Sequence, residues 1–160
     1  MRVSAQDKKG VRVHNGQDRR RLPDGFLGAL AKCGEEVLGC IRGRYLARVT
    51  LPRVVDVSLI DDAQIGRVHA QFMDNPSPTD VITFPYGEEG EVLISVETAE
   101  RQALLFGASF EQEMVRYLVH GLLHLAGYDD LTPEGSAEME EVQEALVAEA
   151  FAEGRSFAGR

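Results

Sequence analysis

Apolar and polar positions follow two different periods along this chain, and these periods predict where helices and strands lie. Apolar residues recur at 26, 27, 30, 33, 37, 38 and 41, and again densely between 114 and 125, at helical spacing. Short β-branched runs typical of strands occupy 11–16, 53–60, 81–85 and 91–96. Helices interleaved with a few strands predict a compact layered domain of the α+β or α/β class.

Local start signals refine these boundaries. Asp61 with Gln64 three residues later is typical of a capping box, and Ile60 and Ile65 fit a hydrophobic staple. Thr132 followed by Pro133 predicts the start of a last helix. We therefore predict helices over about 62–72, 97–106, 109–126 and 132–150, with the loop YGEEG at 86–90 joining two strands.

Charge is distributed unevenly between the two parts of the chain. Residues 1–53 contain 12 Lys and Arg against 5 Asp and Glu, whereas residues 54–160 contain 5 against 21, for a net charge of -9. An acidic protein does not bind nucleic acid indiscriminately, but the basic N-terminal third leaves room for a phosphate-binding patch or for an ordinary solvated surface.

Length and hydropathy limit the class of protein. The 160 residues suit one domain over 1–160. No stretch of about 18 apolar residues predicts a membrane span, and the N-terminal ten residues are polar. We expect a cytoplasmic protein with no membrane partner.

The helix predicted over 109–126 carries the candidate chemistry. Most of its surface is apolar, which is typical of a buried helix. Glu113, Arg116, His120 and His124 nevertheless form one polar stripe at spacings of three, four and four. Burying such groups without partners costs roughly 1–3 kcal/mol each, so the stripe requires partners in the fold.

A metal ion would satisfy the two histidines, because imidazoles four residues apart on a helix face the same way. Gly127 is placed to end the helix and turn the chain back, which would bring Asp129 or Asp130 to the same face. The spacing matches the tail of the metzincin signature, whose third ligand corresponds to Asp130. Gly121 stands where those peptidases have their glutamate base, which is evidence against proteolysis. A chance pair of histidines is the simpler alternative.

The stretch HGLLHLAGYDD at 120–130 resembles the signature of the YbeY family of bacterial metal-dependent endoribonucleases, H-G-x-L-H-L-x-G-Y-D-H, at ten of eleven positions. PTDVITF at 78–84 is similar to the family's P-T-[DN]-V-L-S-F, and GEVLIS at 90–95 to its G-D-I-V-I-S. The resemblance is strongest over 53–150.

The resemblance implies a zincin-like α+β fold with a small mixed sheet packed by helices. It also implies a metal, usually zinc, bound by His120, His124 and the residue at 130. The implied function is cleavage of single-stranded RNA in ribosomal RNA maturation and ribosome quality control. The implied partners are ribosomal RNA and the ribosome or small-subunit factors.

Two departures from the family pattern bear on activity. The third ligand is usually histidine but is Asp130 here, which should make the metal a weaker Lewis acid. A family arginine near the second motif is replaced by Met73. Arg67, Arg116 or an N-terminal arginine could take its place in holding RNA or in catalysis. Arg116 lies one turn before His120, but it could instead merely pair with Glu113. Asp129 is a candidate catalytic partner of the metal that also competes for the ligand position.

These residues leave more than one function open. Thr79, Asp80 and Thr83 are candidate substrate-binding residues for a metal-dependent endoribonuclease, with either water or the 2′-hydroxyl as nucleophile. A non-catalytic, metal-stabilised ribosome-assembly factor is the second possibility. A metallohydrolase that acts on peptides is the third.

Overall fold

The structure is a computed structural model, and it describes residues 10–73 and 81–152. Within these ranges the chain forms four strands and five helices. In chain order they are β1 (Gly10–Asn15), α1 (Phe26–Gly43), β2 (Val54–Ile60), α2 (Asp62–Met73), β3 (Val81–Tyr86), β4 (Glu89–Ser95), α3 (Val96–Phe106), α4 (Phe110–Leu125) and α5 (Pro133–Phe151).

The strands form one mixed sheet in the order β1-β2-β4-β3. β2 pairs in parallel with β1 and β4, whereas β3 pairs antiparallel with β4. Among the described residues, five helices accompany this four-stranded mixed sheet, so the predicted α+β class is confirmed. β3 lies at the edge of the sheet beside β4, which places Thr83 in a strand that contacts α4.

The hairpin between β3 and β4 corrects one expectation. The five residues predicted as a loop at 86–90 are mostly paired, because Tyr86 is opposite Glu89 and Pro85 is opposite Gly90. Only Gly87 and Glu88 remain in the turn, and Gly87 has a φ of 74°. A two-residue turn needs such positive φ values, which is why the strands extend beyond the β-branched residues.

The main hydrophobic core lies between the sheet and the helices α1, α4 and α5. Val55, Val57, Val92 and Ile94 contribute the sheet side of this core. α4 is the central helix of the layer, and most of its residues are buried. The expectation that this helix is enclosed is therefore confirmed, and its few polar residues must find partners inside the fold.

α2 packs on the other face of the sheet through a second, smaller cluster. Ile65 is fully buried there against Ile60, Ile82 and Leu93. The predicted capping box is present: Asp61 Oδ1 accepts from the Gln64 N–H at 2.8 Å, and Gln64 Oε1 accepts from the Asp61 N–H at 2.8 Å. The side chains named as a staple thus fix the entry of the chain into α2.

The other predicted boundaries agree with the structure to within a few residues. The expected last helix begins at Pro133, where the Thr132 hydroxyl accepts from the Gly135 N–H at 3.0 Å. In the described ranges, no helix combines the length and the apolar character that crossing a membrane requires.

Candidate metal centre

α4 is fixed at its N-terminus before it delivers the polar stripe. Ser109 caps the helix, and the Gln112 side chain accepts from the Ser109 N–H in return. Glu113 is 3% exposed and forms an ion pair with Arg116 one turn later. The first half of the stripe is therefore satisfied within the helix itself.

The C-terminus of α4 turns at Gly127, as predicted. This glycine has a φ of +101°, a conformation that a side chain disfavours, and an added Cβ would lie 3.0 Å from Arg48 Cβ. The Tyr128 N–H donates to the Leu123 carbonyl at 3.0 Å. Since the Tyr128 hydroxyl also donates to the Leu46 carbonyl at 3.0 Å, the chain beyond the turn is anchored near the end of α4.

The turn brings one carboxylate to the two imidazoles. Nε2 of His120 and Nε2 of His124 are 3.1 Å apart. Asp130 Oδ2 is 3.9 Å from the first nitrogen, and Asp130 Oδ1 is 4.0 Å from the second. One ligand atom from each of these three residues lies within 4.8 Å of the others. The three predicted ligands therefore converge on one point.

The hydrogen-bond partners of the two Nδ1 atoms determine whether the two Nε2 atoms carry a hydrogen or a lone pair. His120 Nδ1 lies 2.8 Å from Gln143 Oε1, and His124 Nδ1 lies 3.0 Å from the Tyr128 carbonyl oxygen. Both partners are acceptors, so each Nδ1 carries a hydrogen in the neutral ring. Two Nε2 lone pairs then face each other, an arrangement that a cation between them relieves.

This donor set fits a zinc ion. Ligand nitrogens about 2.0–2.1 Å from a tetrahedral Zn²⁺ lie about 3.3 Å apart, close to the 3.1 Å between the two Nε2 atoms. Two imidazoles and one carboxylate are a common ligand set for a catalytic zinc with an open fourth position.

Electrostatics favours the ligand form of His124. Burial lowers the pKa of this imidazole below its ordinary value, and the neighbouring His120 lowers it further, which outweighs the opposing effects of Asp130 and Asp129. A neutral ring is the form that binds metal. The lowered pKa of His124 therefore favours the form of this residue that can bind a metal.

Of the two aspartates, Asp130 is the one whose carboxylate lies near both imidazoles. Asp129 Oδ1 accepts from the Leu131 N–H at 3.1 Å, which stabilises the turn after Gly127. Asp129 is absent from the cluster of metal-binding groups found among the described residues. It remains next to the site through the chain, where its role as a catalytic residue stays a prediction.

Arg116 is held between two carboxylates rather than free to face the metal. Its Nε and Nη2 donate to Glu144 Oε2 and Oε1 at 2.8 and 2.9 Å, and its Nη1 donates to Glu113. The Arg116 guanidinium holds the pKa of the Glu144 carboxyl below its ordinary value. Pairing with Glu113, which was one of the two expectations for Arg116, is therefore observed.

A cavity of about 610 Å³ adjoins the candidate metal centre. His120 and Asp130 line one end of it, and Arg116, Tyr117 and Gln143 line its walls. A substrate group bound at the metal would have this space beside it. Arg116, whose side chain is 29% exposed, faces the same cavity despite its two ion pairs.

The predicted substrate-binding residues are only partly described. Thr79 and Asp80 lie outside the described residues. Thr83 lies on β3 beside α4, since its Cγ2 would be 3.4 Å from a Cβ added at Gly121. The same added Cβ would lie 2.7 Å from Val92 Cγ1, so this position has no room for the glutamate that a zincin-type peptidase needs.

Comparison with known proteins agrees with the motif. The model of the family described as Endoribonuclease YbeY matches residues 29–150. The chain belongs to the YbeY family. A YbeY endoribonuclease from Desulfitobacterium hafniense is 32% identical over 143 residues, which cover 80% of this chain and 90% of that protein. The YbeY endoribonuclease from Thermotoga maritima is 40% identical over 106 residues, covering 64% and 71%.

The fold agrees with a solved structure as well. A solution structure of a Thermotoga maritima protein superimposes with a TM-score of 0.63 at 30% identity, covering 89% of this chain and 90% of that one.

A YbeY endoribonuclease from Myxococcus xanthus is 39% identical over 116 residues, which span 66% of this chain and 40% of that protein. The resemblance read from the motif is confirmed.

One residue of this YbeY-family site escaped the sequence analysis. Gln143 lies on α5 and accepts from His120 Nδ1, although it is 23 positions away in sequence. It stands in a glutamate-rich helix that was considered in the sequence analysis only for its start at Thr132 and Pro133. Helical spacing places Gln143 on the same face of α5 as Met139 and Glu140. Its contact with His120 follows only from the packing of α5 on α4.

Proposed function

We propose that this chain is a metal-dependent endoribonuclease that cleaves single-stranded RNA in ribosomal RNA maturation and ribosome quality control. Membership of the YbeY family supports this class of activity. The observation that carries the metal dependence is the convergence of two Nε2 atoms, 3.1 Å apart, with the Asp130 carboxylate. We propose a single zincin-like domain over 1–160 as its framework.

The ligands of the proposed metal are His120, His124 and Asp130, with zinc as the ion that this set fits best. When bound, zinc supplies Lewis acidity toward a phosphate oxygen of the RNA. Asp130 brings negative charge where most of the family has histidine, so we expect weaker polarisation of the phosphate than at a three-histidine centre. The carboxylate also tolerates harder metals such as Mn²⁺.

The protein's own groups position the RNA around this centre. Thr83 on the edge strand, together with Thr79 and Asp80 before it, would hydrogen-bond the substrate. Asp129 uses Oδ1 for the turn, which leaves its second oxygen to accept a proton. Arg116 uses three of its five N–H groups in the ion pairs, so two remain for a phosphate in the adjoining cavity.

A non-catalytic ribosome-assembly factor is the alternative that one observation favours. Arg116 is the arginine closest along α4 to the histidines, and it is already neutralised by Glu113 and Glu144. If no other cation reaches the phosphate, the metal would serve stability alone. In either case we propose a cytoplasmic protein whose partners are ribosomal RNA and the ribosome or small-subunit factors.

Elemental analysis and RNA cleavage on the same preparations test the proposal. We expect about one zinc per chain in the unaltered protein, lost in His124→Ala and Asp130→Ala, with cleavage of single-stranded ribosomal RNA lost in parallel. Metal binding and ribosome association without any cleavage would select the assembly factor. No metal and no cleavage would overturn both readings of the site.

The ends of the products identify the nucleophile. A 2′,3′-cyclic phosphate indicates attack by the neighbouring 2′-hydroxyl, which expels the 5′-oxygen. A 5′-phosphate together with a free 3′-hydroxyl indicates attack by water, because the 2′-hydroxyl cannot expel the 3′-oxygen. Cleavage of casein that depends on His124 would instead support a peptidase, against which the packing of Gly121 argues.

A further inference from the structure

His120 depends on a side chain for its orientation, whereas His124 depends on the backbone. The Tyr128 carbonyl that lies against His124 Nδ1 is part of the turn after Gly127, and replacing the Tyr128 side chain does not remove this backbone acceptor. Gln143 Oε1, which accepts from His120 Nδ1 at 2.8 Å, belongs to another helix. The two ligands therefore differ in how easily their orientation is lost.

The orientation of the Gln143 amide is itself determined by its neighbour. Gln143 Nε2 donates to Glu144 Oε2 at 3.1 Å. A carboxylate only accepts, so the nitrogen of the amide must face Glu144 and its oxygen must face His120. The opposite orientation would place two acceptors together and would offer an N–H to the imidazole.

Glu144 is held in turn by the ion pairs of the polar stripe. Both of its carboxylate oxygens accept from Arg116, at 2.8 and 2.9 Å, and Arg116 is paired to the buried Glu113. A bidentate pair between arginine and a carboxylate fixes geometry as well as charge. A continuous series of contacts thus runs from Glu113 through Arg116, Glu144 and Gln143 to His120.

We propose that Gln143 is a positioning residue of the metal centre, which holds His120 in the tautomer with hydrogen on Nδ1 and directs its Nε2 lone pair at the metal. Arg116 and Glu144 fix the Gln143 amide and act on the metal through it. This inference rests on the proposed metal centre, and it gives Arg116 a role that does not require contact with RNA. Partners of this kind typically change metal affinity by about 10–100-fold.

The central test replaces the amide by an apolar side chain of similar length, Gln143→Met. We expect zinc affinity, measured by competition with a chromogenic chelator, to fall by about 10–100-fold. In the zinc-free protein at a pH where histidines are neutral, ¹⁵N shifts should show His120 losing its preference for hydrogen on Nδ1. His124 should keep its preference, because its backbone partner is unchanged.

Two further variants separate positioning from general damage to the fold. Gln102→Met makes the same substitution in a glutamine that lines the same cavity, and it should leave zinc affinity within about twofold of the unaltered protein. Gln143→Glu combined with Glu144→Gln retains an acceptor oxygen for His120 without placing two carboxylates together, and it should retain the Nδ1–H tautomer of His120. Thermal unfolding of each variant identifies any that fail to fold.

The ¹⁵N readout in the zinc-free protein keeps the inference separate from the proposed function. If the unaltered protein bound no zinc, the metal centre would fail, yet the loss of the His120 tautomer in Gln143→Met would still support the role of Gln143. If a folded Gln143→Met protein kept both the tautomer and the zinc affinity, the role of Gln143 would be overturned. An equal loss in Gln102→Met would also overturn it.

Discussion

Gly121 and Gly127 lie on either side of His124, and a side chain is disfavoured at both positions. At Gly121 the reason is a lack of space, and at Gly127 it is the backbone conformation together with a lack of space. Gly121 has an ordinary helical conformation but faces Val92 at a distance that leaves no room for a Cβ. Gly127 combines a positive φ with contacts to Arg48 and Val49. The motif indicated the turn at Gly127, but the packing of Gly121 depends on how closely α4 approaches the sheet.

Gly121→Ala should destabilise the protein by about 1–3 kcal/mol, because the new methyl group would lie 2.7 Å from Val92 Cγ1 in a filled core. Chemical denaturation measures the loss. Gly39→Ala, in the exposed part of α1 with nothing within 4 Å, should instead stabilise by about 0.4–1 kcal/mol. Equal effects at both positions would contradict the close approach of α4, and Val92→Ala should partly rescue Gly121→Ala.

Gly127→Ala should cost about 1–3 kcal/mol through backbone strain and should also weaken zinc binding, because the turn that carries Asp130 would shift. Gly107→Ala is the matched control at the end of α3, where φ is +64° and nothing lies within 4 Å of an added Cβ. It should be destabilising to a smaller extent and neutral for zinc affinity. An unchanged affinity in Gly127→Ala would show that Asp130 does not depend on this turn.

Signals that lie within a few residues of each other predicted the helices well. The Asp61 and Gln64 capping box and the Thr132 cap with Pro133 are local, so the sequence revealed them. The loop of the hairpin at Gly87 was predicted too long, because β3 and β4 stay paired beyond their β-branched residues. Local signals could not predict contacts between elements that lie far apart in the sequence. The contacts of Asp62 with α3 are the clearest example.

Asp62 joins the start of α2 to the start of α3. Its Oδ1 accepts from the Ser95 and Thr98 hydroxyls at 2.6 and 2.8 Å, and its Oδ2 accepts from Arg101 at 2.6 Å. Burial opposes ionisation of this carboxyl, but the hydrogen bonds from Arg101, Ser95 and Thr98 together outweigh it and lower the pKa below 3.8. The charged form is therefore the one that stabilises the fold.

Asp62→Asn should lower the free energy of unfolding by about 1–3 kcal/mol at neutral pH, since three donors lose a charged acceptor. A lowered folded-state pKa contributes stability above the unfolded value near 3.8, and this contribution is lost as pH falls through the folded value. The difference between the two proteins should therefore shrink below about pH 4. Urea denaturation across pH measures this difference, and a difference that stayed constant down to about pH 2 would contradict a stabilising role for the charged form of Asp62.

At the scale of the whole molecule, the sheet order and the docking of α5 create the site. The sequence predicted the strands but not the order β1-β2-β4-β3, because pairing depends on contacts between distant segments. It predicted that His120, His124 and Asp130 come together, because these candidate ligands lie in one short motif. Gln143 could not be predicted, since its partner lies on a different helix.

Zinc should stabilise the whole fold, because the ligands converge only when α4 and its turn are formed. At a free zinc concentration 100 times the Kd, the free energy of unfolding should rise by about 2.7 kcal/mol, less any binding to the unfolded chain. Denaturation with zinc and with chelator measures the gain. His124→Ala should lose it, while His14→Ala, a histidine on β1 that contacts Asp56, should keep it. An equal gain in all three proteins would place the zinc elsewhere.

The position of Gln143 after the ligands in the chain has a consequence for synthesis. A ribosome releases His120, His124 and Asp130 before it releases α5, so a nascent chain passes through a stage at which the three candidate ligands are available and the side chain proposed to orient His120 is not. A metal captured at that stage would meet an imidazole free to present either nitrogen. Docking of α5 on α4 would then select the His120 tautomer with hydrogen on Nδ1.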